Sequence, residues 1–130
     1  MAGELKLLDA SYKGLTAIGA MTFVKRHATD SQGVIQCDTA GEFVLGVAGV
    51  DVSAAQATEG KTEIKVGLAG IYWVVAAATL TLGAEIMTDA AGKAIVATAT
   101  NRIVGVCMKA AASGELTLVW LAGSGQNIKP

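Results

Sequence analysis

Thr62-Glu63-Ile64-Lys65-Val66-Gly67-Leu68 is the stretch that decides the fold class of this 130-residue chain. Its apolar residues alternate with polar or small ones, and a period of two places successive side chains on opposite faces of a β-strand. Residues 115–121 alternate in the same way, with Leu116, Leu118 and Trp120 on one face and a mostly apolar second face. We therefore predict two strands here, the second of them internal or covered by a partner.

Further stretches have the same strand-like character, and short turn sequences separate them. Gly33 and Gly92 close two of these turns, since glycine adopts the positive φ that a tight turn requires. Helical signal is confined to residues 53–57 and 109–113, which are too short for an independent helix. Short strands with regularly spaced turns predict an all-β fold, a compact β-barrel or β-sandwich. The further predicted strands are residues 21–26, 34–37, 43–52, 71–76, 85–88, 93–98 and 102–109.

An internal repeat runs through the sequence. Val44-Leu45-Gly46-Val47 has a counterpart in Ile103-Val104-Gly105-Val106, and a small-residue stretch and an acidic turn follow both. Each copy continues into an alternating strand that ends in Leu-Ala-Gly, at residues 68–70 and 121–123. Upstream, Gly19-Ala20 matches Gly83-Ala84, ahead of a strand, an Asp-containing turn and a second strand. We therefore predict two similar β units whose edges can pair to close the fold.

The repeat predicts a division of residues 1–130 as a single β domain. Residues 16–76 make the first β unit and residues 77–123 the second. Residues 1–15 are expected to form a flexible N-terminal arm, and residues 124–130 a flexible tail. Such arms often order on a neighbouring molecule, which makes Leu5, Leu7 and Ile128 candidate interface residues, although frayed termini would have the same composition.

Composition and charge exclude several classes of protein. The chain is 52% hydrophobic and 16% charged, the opposite of a disordered sequence. With a net charge of −1 and one basic cluster, Lys25-Arg26-His27, we expect no nucleic-acid partner. Residues 66–84 are uncharged but interrupted by glycines, so they predict strands in a core and no membrane partner. The acidic opening Met1-Ala2-Gly3-Glu4 lacks an apolar segment, so we expect no signal peptide and folding in a cytoplasm.

Residues that carry chemistry are sparse. His27 has no cysteine or carboxylate at ligand spacing, and most acidic residues fall in turns or on outward strand positions. Cys37 and Cys107 lie in apolar runs, where a free thiol behaves as a small hydrophobe, and a disulfide between them stays open. No phosphate-binding loop or nucleophile elbow is present. We therefore expect no enzyme activity, no cofactor and no metal.

Cys107-Met108-Lys109-Ala110 leaves an alternative from a different class. Biotin-carrier domains present Met-Lys-Met at a hairpin of a repeated β-sandwich, and the Met-Lys pair here resembles that motif. Ala110 replaces the second methionine, the acidic lead-in is missing, and the hairpin falls late in the chain. A solvated Lys109 at a strand end is the favoured interpretation, and a carrier-like domain modified at Lys109 stays the alternative.

Aromatic residues complete the candidate interface. Tyr72 and Trp73 are adjacent, so on a strand they face opposite sides and one of them is expected to look outward or into a partner. Trp120 sits on the strand with two apolar faces. Trp and Tyr are enriched at interface hot spots, which adds all three to the candidates, while core packing is the default interpretation for either Trp.

The ordered motifs resemble those of the capsid cement or decoration proteins of tailed bacteriophages, some of which were once mislabelled as predicted recombinases. The resemblance covers most of the chain from about residue 19 onward. It is carried by Leu45-Gly46-Val47-Ala48, Thr62-Glu63-Ile64-Lys65-Val66 with Gly70, Leu82-Gly83-Ala84, Thr88-Asp89-Ala90-Ala91-Gly92-Lys93, Ile103-Val104-Gly105-Val106 and Leu116-Thr117-Leu118-Val119.

The resemblance implies a structural virion protein with no catalysis and no cofactor. Its partner would be the major capsid protein, which it would bind on the outer capsid surface and bridge to its neighbours, stabilising the expanded shell. It would also be a homo-oligomer, with a trimer favoured and a dimer possible. Another virion β module, such as a tail or fibre component, stays an alternative.

Overall fold

The computed structural model describes residues 3–60 and 62–130, with the side chain of Ser124 excepted; residues 1–2 of the expected arm and Lys61 of the expected acidic turn lie outside the described residues. The described chain forms one nine-stranded sheet, so the predicted all-β class is confirmed. Its elements are β1 Leu5–Gly14, β2 Phe23–Arg26, β3 Gly33–Gln36, β4 Gly46–Ala48, α1 Ala54–Glu59, β5 Glu63–Val75, β6 Glu85–Thr88, β7 Ala94–Val96, β8 Gly105–Cys107 and β9 Leu116–Leu121.

Five strands close into a first ring. They pair in the order β1-β3-β2-β4-β5, and an antiparallel pairing of β5 with β1 completes the circle. The closing contact between β1 and β3 is parallel, with Gly14 opposite Val34. A closed ring leaves fewer unpaired strand edges than an open sheet. Its interior is an apolar cluster of Ile18, Val24, Val34, Ala48, Val52, Ile64 and Val66.

A second ring uses the other end of β5. Its strands follow the order β5-β9-β8-β6-β7, and all neighbouring pairs are antiparallel. A single parallel bridge between Ala76 and Ala94 ties the end of β5 to β7. Its core includes Tyr72, Val74, Leu80, Ile86, Val104, Cys107 and Val119, together with Phe23 and Val47 from the first ring. The two rings therefore share β5 and pack against each other.

The two halves of the chain have the same pattern of strand pairing. In the first unit β2 pairs with β3 and β4, and β4 pairs with β5. In the second unit β6 pairs with β7 and β8, and β8 pairs with β9. Val47 lies opposite Gly67, and Val106 lies opposite Trp120. Each Leu-Ala-Gly sequence begins at the residue after this partner, so the two sequences occupy equivalent places.

Strand pairing also relates β1 to the end of β5. Asp9 of β1 lies opposite Gly67, and Ile71 of β5 lies opposite Trp120, so the two residues hold equivalent positions. By this pairing, residues 9–70 correspond to residues 71–123. The division into residues 16–76 and 77–123 was drawn from sequence motifs, which β1 and residues 71–76 do not share, and it stays a prediction.

Gly70 allows one strand to serve both cores. Its φ of +120° is open to glycine and strained for other residues. Before it, Ile64 and Val66 point into the first core, and after it Tyr72 and Val74 point into the second. A Cβ added at Gly67 would overlap the Tyr72 ring, which therefore lies over the outer face of the first ring.

Both ends of the described chain differ from the expected flexible arms. Most of residues 3–15 form β1, which pairs along β5 from Leu5 to Lys13. At the other end, Gln126 is 6% exposed, and Ile128 forms a bridge with Arg102. Polar backbone groups that find a strand partner gain hydrogen bonds, and composition alone does not show such a partner. The two ends are therefore ordered on the chain's own sheet.

Candidate interaction surface

The residues that could carry chemistry have structural roles. Cys37 and Cys107 are free thiols buried in the second core, and burial raises the pKa of Cys37 to about 12, which suppresses its reactive thiolate. His27 Nδ1 accepts hydrogen bonds from the backbone N–H groups of Thr29 and Asp30, which stabilises the turn before β3. Lys109 is exposed between β8 and β9. Over residues 3–60 and 62–130, no three His, Cys, Asp or Glu side chains form a group that could hold a metal ion.

Part of the basic cluster is neutralised. The Lys25 ammonium lies 2.6 Å from Asp38 Oδ1 and 2.7 Å from Glu42 Oε1. Hydrogen bonds to these carboxylates hold the pKa of Lys25 above its ordinary value, and the bond to Lys25 holds the pKa of Asp38 below its ordinary value. Glu42 Oε2 also accepts from the backbone N–H groups of Asp38 and Thr39. The network fixes the chain after β3 against β2.

The six candidate interface residues fall into three groups. Leu5, Leu7, Trp120 and Ile128 expose 53%, 65%, 56% and 55% of their surface. Trp73 is half-buried on the outer face of β5. Tyr72 is only 4% exposed, and its hydroxyl lies within 3.0 Å of Asp9 Oδ1 and of the Leu8 and Ala69 carbonyl oxygens. Tyr72 is thus removed from the free surface, because it packs between the two units.

A line of directly paired residues crosses the sheet; four of its five members are apolar, and Leu5 and Trp120 are the most exposed. Ile71 on β5 lies opposite Leu5 on one side and Trp120 on the other. Trp120 in turn lies opposite Val106, and Val106 opposite Glu85. Directly paired residues share one face of a sheet. We call this line of five residues the Trp120 row.

A second apolar feature lies beside Leu8 of β1. Leu8 and Phe43, which are 55% and 42% exposed, flank a shallow groove. The Arg102 guanidinium lies 5.8 Å from the centroid of the Phe43 ring, at a distance typical of a cation–π contact. We call it the Phe43 groove; it is lined by Leu8, Phe43, Leu45, Leu68, Ala69, Ala122 and Gly123.

Sequence reasoning missed Leu8 and Phe43. Leu8 belongs to the same amphipathic stretch as Leu7, and a register shift between Lys6 and Leu8 makes Leu7 an extra residue on β1. A local bulge of this kind changes which side chains share a face, and the sequence carries no clear mark of it. Phe43 lies in a predicted strand but precedes the observed β4, so the period of two does not report its orientation.

These observations define a small all-β protein whose distinguishing surface features are apolar. The profile of the phage cement protein family matches residues 16–121. The chain therefore belongs to the phage cement protein family, as the resemblance predicted. Membership implies a non-enzymatic structural role in the virion.

A solved structure of another phage protein has a similar fold. The crystal structure of the head fiber gp8.5 N base in bacteriophage phi29 has a TM-score of 0.72 with this chain. The match covers 95% of this chain and 98% of that chain at 15% sequence identity, so the likeness concerns the fold alone. No curated protein matches the sequence.

Proposed function

We propose that this protein binds the outer surface of a phage capsid and stabilises the expanded shell by bridging major capsid proteins. It folds in the host cytoplasm and then docks as a homo-oligomer, for which a trimer is favoured. The observation that carries the proposal is the presence of exposed apolar side chains on β1, β9 and the C-terminal segment of a phage cement protein. Large exposed apolar patches mark protein interaction sites in soluble proteins.

Stabilisation follows from selective binding. A protein that binds the expanded shell and not the unexpanded one shifts the equilibrium toward expansion. The shell gains a free energy that grows with the logarithm of free protein concentration over the dissociation constant. The chain needs no chemical step for this role, only a surface that matches neighbouring capsid subunits in their expanded arrangement.

A fibre component is the second candidate. The fold is similar to the N base of a phage head fiber, which supports a module that attaches a longer appendage to the head. In that case the chain would attach the appendage without bridging neighbouring capsid proteins. Thermal disruption of shells with and without the protein separates the two candidates, since bridging at many sites raises the disruption temperature far more than attachment of a fibre.

The direct test is co-sedimentation of the purified full chain with expanded shells made from the major capsid protein of the same phage. We expect saturable binding to expanded shells and much weaker binding to unexpanded ones. Leu7→Glu and Ile128→Glu should weaken binding at least about 10-fold, because each buries a charge in the contact. Leu82→Glu is the matched control, since Leu82 is 71% exposed and lies between β5 and β6, outside β1, β9 and the C-terminal segment. Binding no better than that of an unrelated β protein would reject the proposal.

A further inference from the structure

The outer face of the first unit is covered by the second unit. Phe23, Val47 and Gly67 are paired side by side across β2, β4 and β5. All three are buried, and Phe23 and Val47 belong to the second core. The Tyr72 ring lies over Gly67, and its hydroxyl reaches Asp9, the next residue in the same line. The face of this β unit therefore accepts another β unit of the same chain.

Over residues 3–60 and 62–130, the equivalent residues of the second unit are left partly or largely exposed. Strand register places Glu85, Val106 and Trp120 at the positions of Phe23, Val47 and Gly67. These residues belong to the Trp120 row, which Ile71 and Leu5 extend. Trp120 is 56% exposed, although it stands where the first unit is fully buried. A tryptophan at such a position leaves a large apolar area in water.

Charge favours burial of the whole row. Glu85 is its only ionisable member, and its carboxylate forms a salt bridge with Lys129. The other four side chains are apolar, so covering the row leaves no unpaired charge at its centre. The exposed ion pair would lie at the rim, where interfaces tolerate charge.

We infer that a second copy of this chain covers the Trp120 row, with each copy contributing its own row around a symmetry axis. This contact rests on the proposed self-association and assigns it to one face. Rows that meet around a closed rotation axis make a finite oligomer, a dimer or a trimer, and do not propagate into fibres. The Phe43 groove and Leu7 then stay free for the capsid.

The test is the mass of the full chain by sedimentation equilibrium, without any capsid. Wild-type protein should be a defined multiple of the 13.1 kDa chain. Trp120→Glu and Leu5→Glu should each raise the dissociation constant at least about 30-fold, as for an interface hot spot. Val50→Glu is the control, since Val50 is 49% exposed in the loop after β4, and it should keep the wild-type mass. A monomeric wild type, or an unchanged mass for Trp120→Glu, overturns the inference.

A second measurement does not depend on a charged variant that folds. Trp73→Phe leaves Trp120 as the single tryptophan. Its emission should shift to longer wavelength on dilution through the dissociation constant, because the indole returns to water. An emission that does not change while the mass falls would place the contact elsewhere and overturn the inference. Failure to bind shells would reject the proposed capsid function and leave this result unaffected.

Discussion

The Tyr72 hydroxyl lies 2.8 Å from Oδ1 of Asp9 and joins the second β unit to the first strand of the fold. Its oxygen is also 2.8 Å from the Ala69 carbonyl oxygen. Burial and the nearby carboxylate raise the pKa of Tyr72 to about 12, so the phenol keeps its proton and acts as a donor. Besides the shared β5 and the packing of Phe23 and Val47, the joint between the units therefore includes one hydroxyl from a residue that the sequence alone presented as an interface candidate.

Tyr72→Phe should remove the hydrogen bond of the hydroxyl and keep the aromatic side chain in place. We expect the free energy of unfolding to fall by about 1–2 kcal/mol, because the hydroxyl hydrogen bond to a carboxylate is lost while apolar packing is kept. Urea unfolding followed by circular dichroism measures the change. Tyr12→Phe is the control in the first ring. Equal stability of Tyr72→Phe and wild type would show that packing alone joins the units.

Alkaline pH should destabilise the fold through Cys37. Its pKa rises from 9.0 to about 12 on folding, so above pH 9 the folded state binds more protons than the unfolded state. Stability from this group is complete below pH 9 and is lost as pH rises toward 12. The loss approaches about 1.4 kcal/mol per pH unit. Unfolding free energies from about pH 8 to about pH 11 measure it.

The control for this pH effect is Cys37→Ala. It should be less stable than wild type at neutral pH, because a buried side chain is shortened, but its stability should fall less steeply above pH 9. Tyr72 still titrates in this variant, so some loss above pH 10 remains. Parallel pH profiles for the two proteins would contradict the assignment to Cys37.

Gly46 and Gly105 should respond alike to substitution. An added Cβ would overlap the Gly67 carbonyl oxygen at the first position and the Trp120 carbonyl oxygen at the second. Backbone atoms cannot move aside cheaply, so we expect each alanine variant to lose about 3 kcal/mol or more. Thermal unfolding measures both. Gly125→Ala, where a Cβ meets nothing within 4 Å, should be close to wild type. A tolerated alanine at only one position would argue against structural equivalence of the units.

Gln126 should hold the C-terminal segment to the first unit. Its Oε1 accepts from the Val44 N–H at 3.1 Å, and its Nε2 donates to the Val44 carbonyl at 2.7 Å. Gln126→Ala leaves both buried backbone groups of Val44 unpaired, at a cost of about 2–3 kcal/mol in urea unfolding. Gln126→Glu should lose at least as much, since a buried carboxylate would face the Val44 and Gly123 carbonyl oxygens to which Nε2 donates. The exposed Asn127→Ala is the control, and a Gln126→Ala variant as stable as it would contradict this role.

Local pattern predicted much of the fold. The period of two in residues 62–68 and 115–121 marked strands that the structure contains as parts of β5 and β9. The repeated Gly-Val and Leu-Ala-Gly sequences occupy equivalent places because glycine is required where two backbones approach, as at Gly46 and Gly105. Predicted strands were too long elsewhere: residues 43–52 contain only the three-residue β4. Alternation shows that a stretch can form a strand, but a hydrogen-bonded neighbour decides where the strand ends.

The candidate site was predicted less well than the fold. Leu5 and Trp120 were named for separate reasons, and only strand register places both beside Ile71. Tyr72 and Trp73 were predicted to face opposite sides, and the structure shows that Tyr72 is the buried one. Exposure is a property of what packs against a side chain, and that neighbour is distant in sequence.

The sequence by itself determined the all-β class, the two-unit repeat and membership of the phage cement family, because alternation, glycine positions and motif order are local properties. Tertiary structure decided that two rings share β5, that the N-terminal segment forms strand β1 of the first ring, and that Trp120 is left exposed. The reason is physical: ring closure joins strands far apart in the chain, and such contacts depend on the packing of the whole molecule.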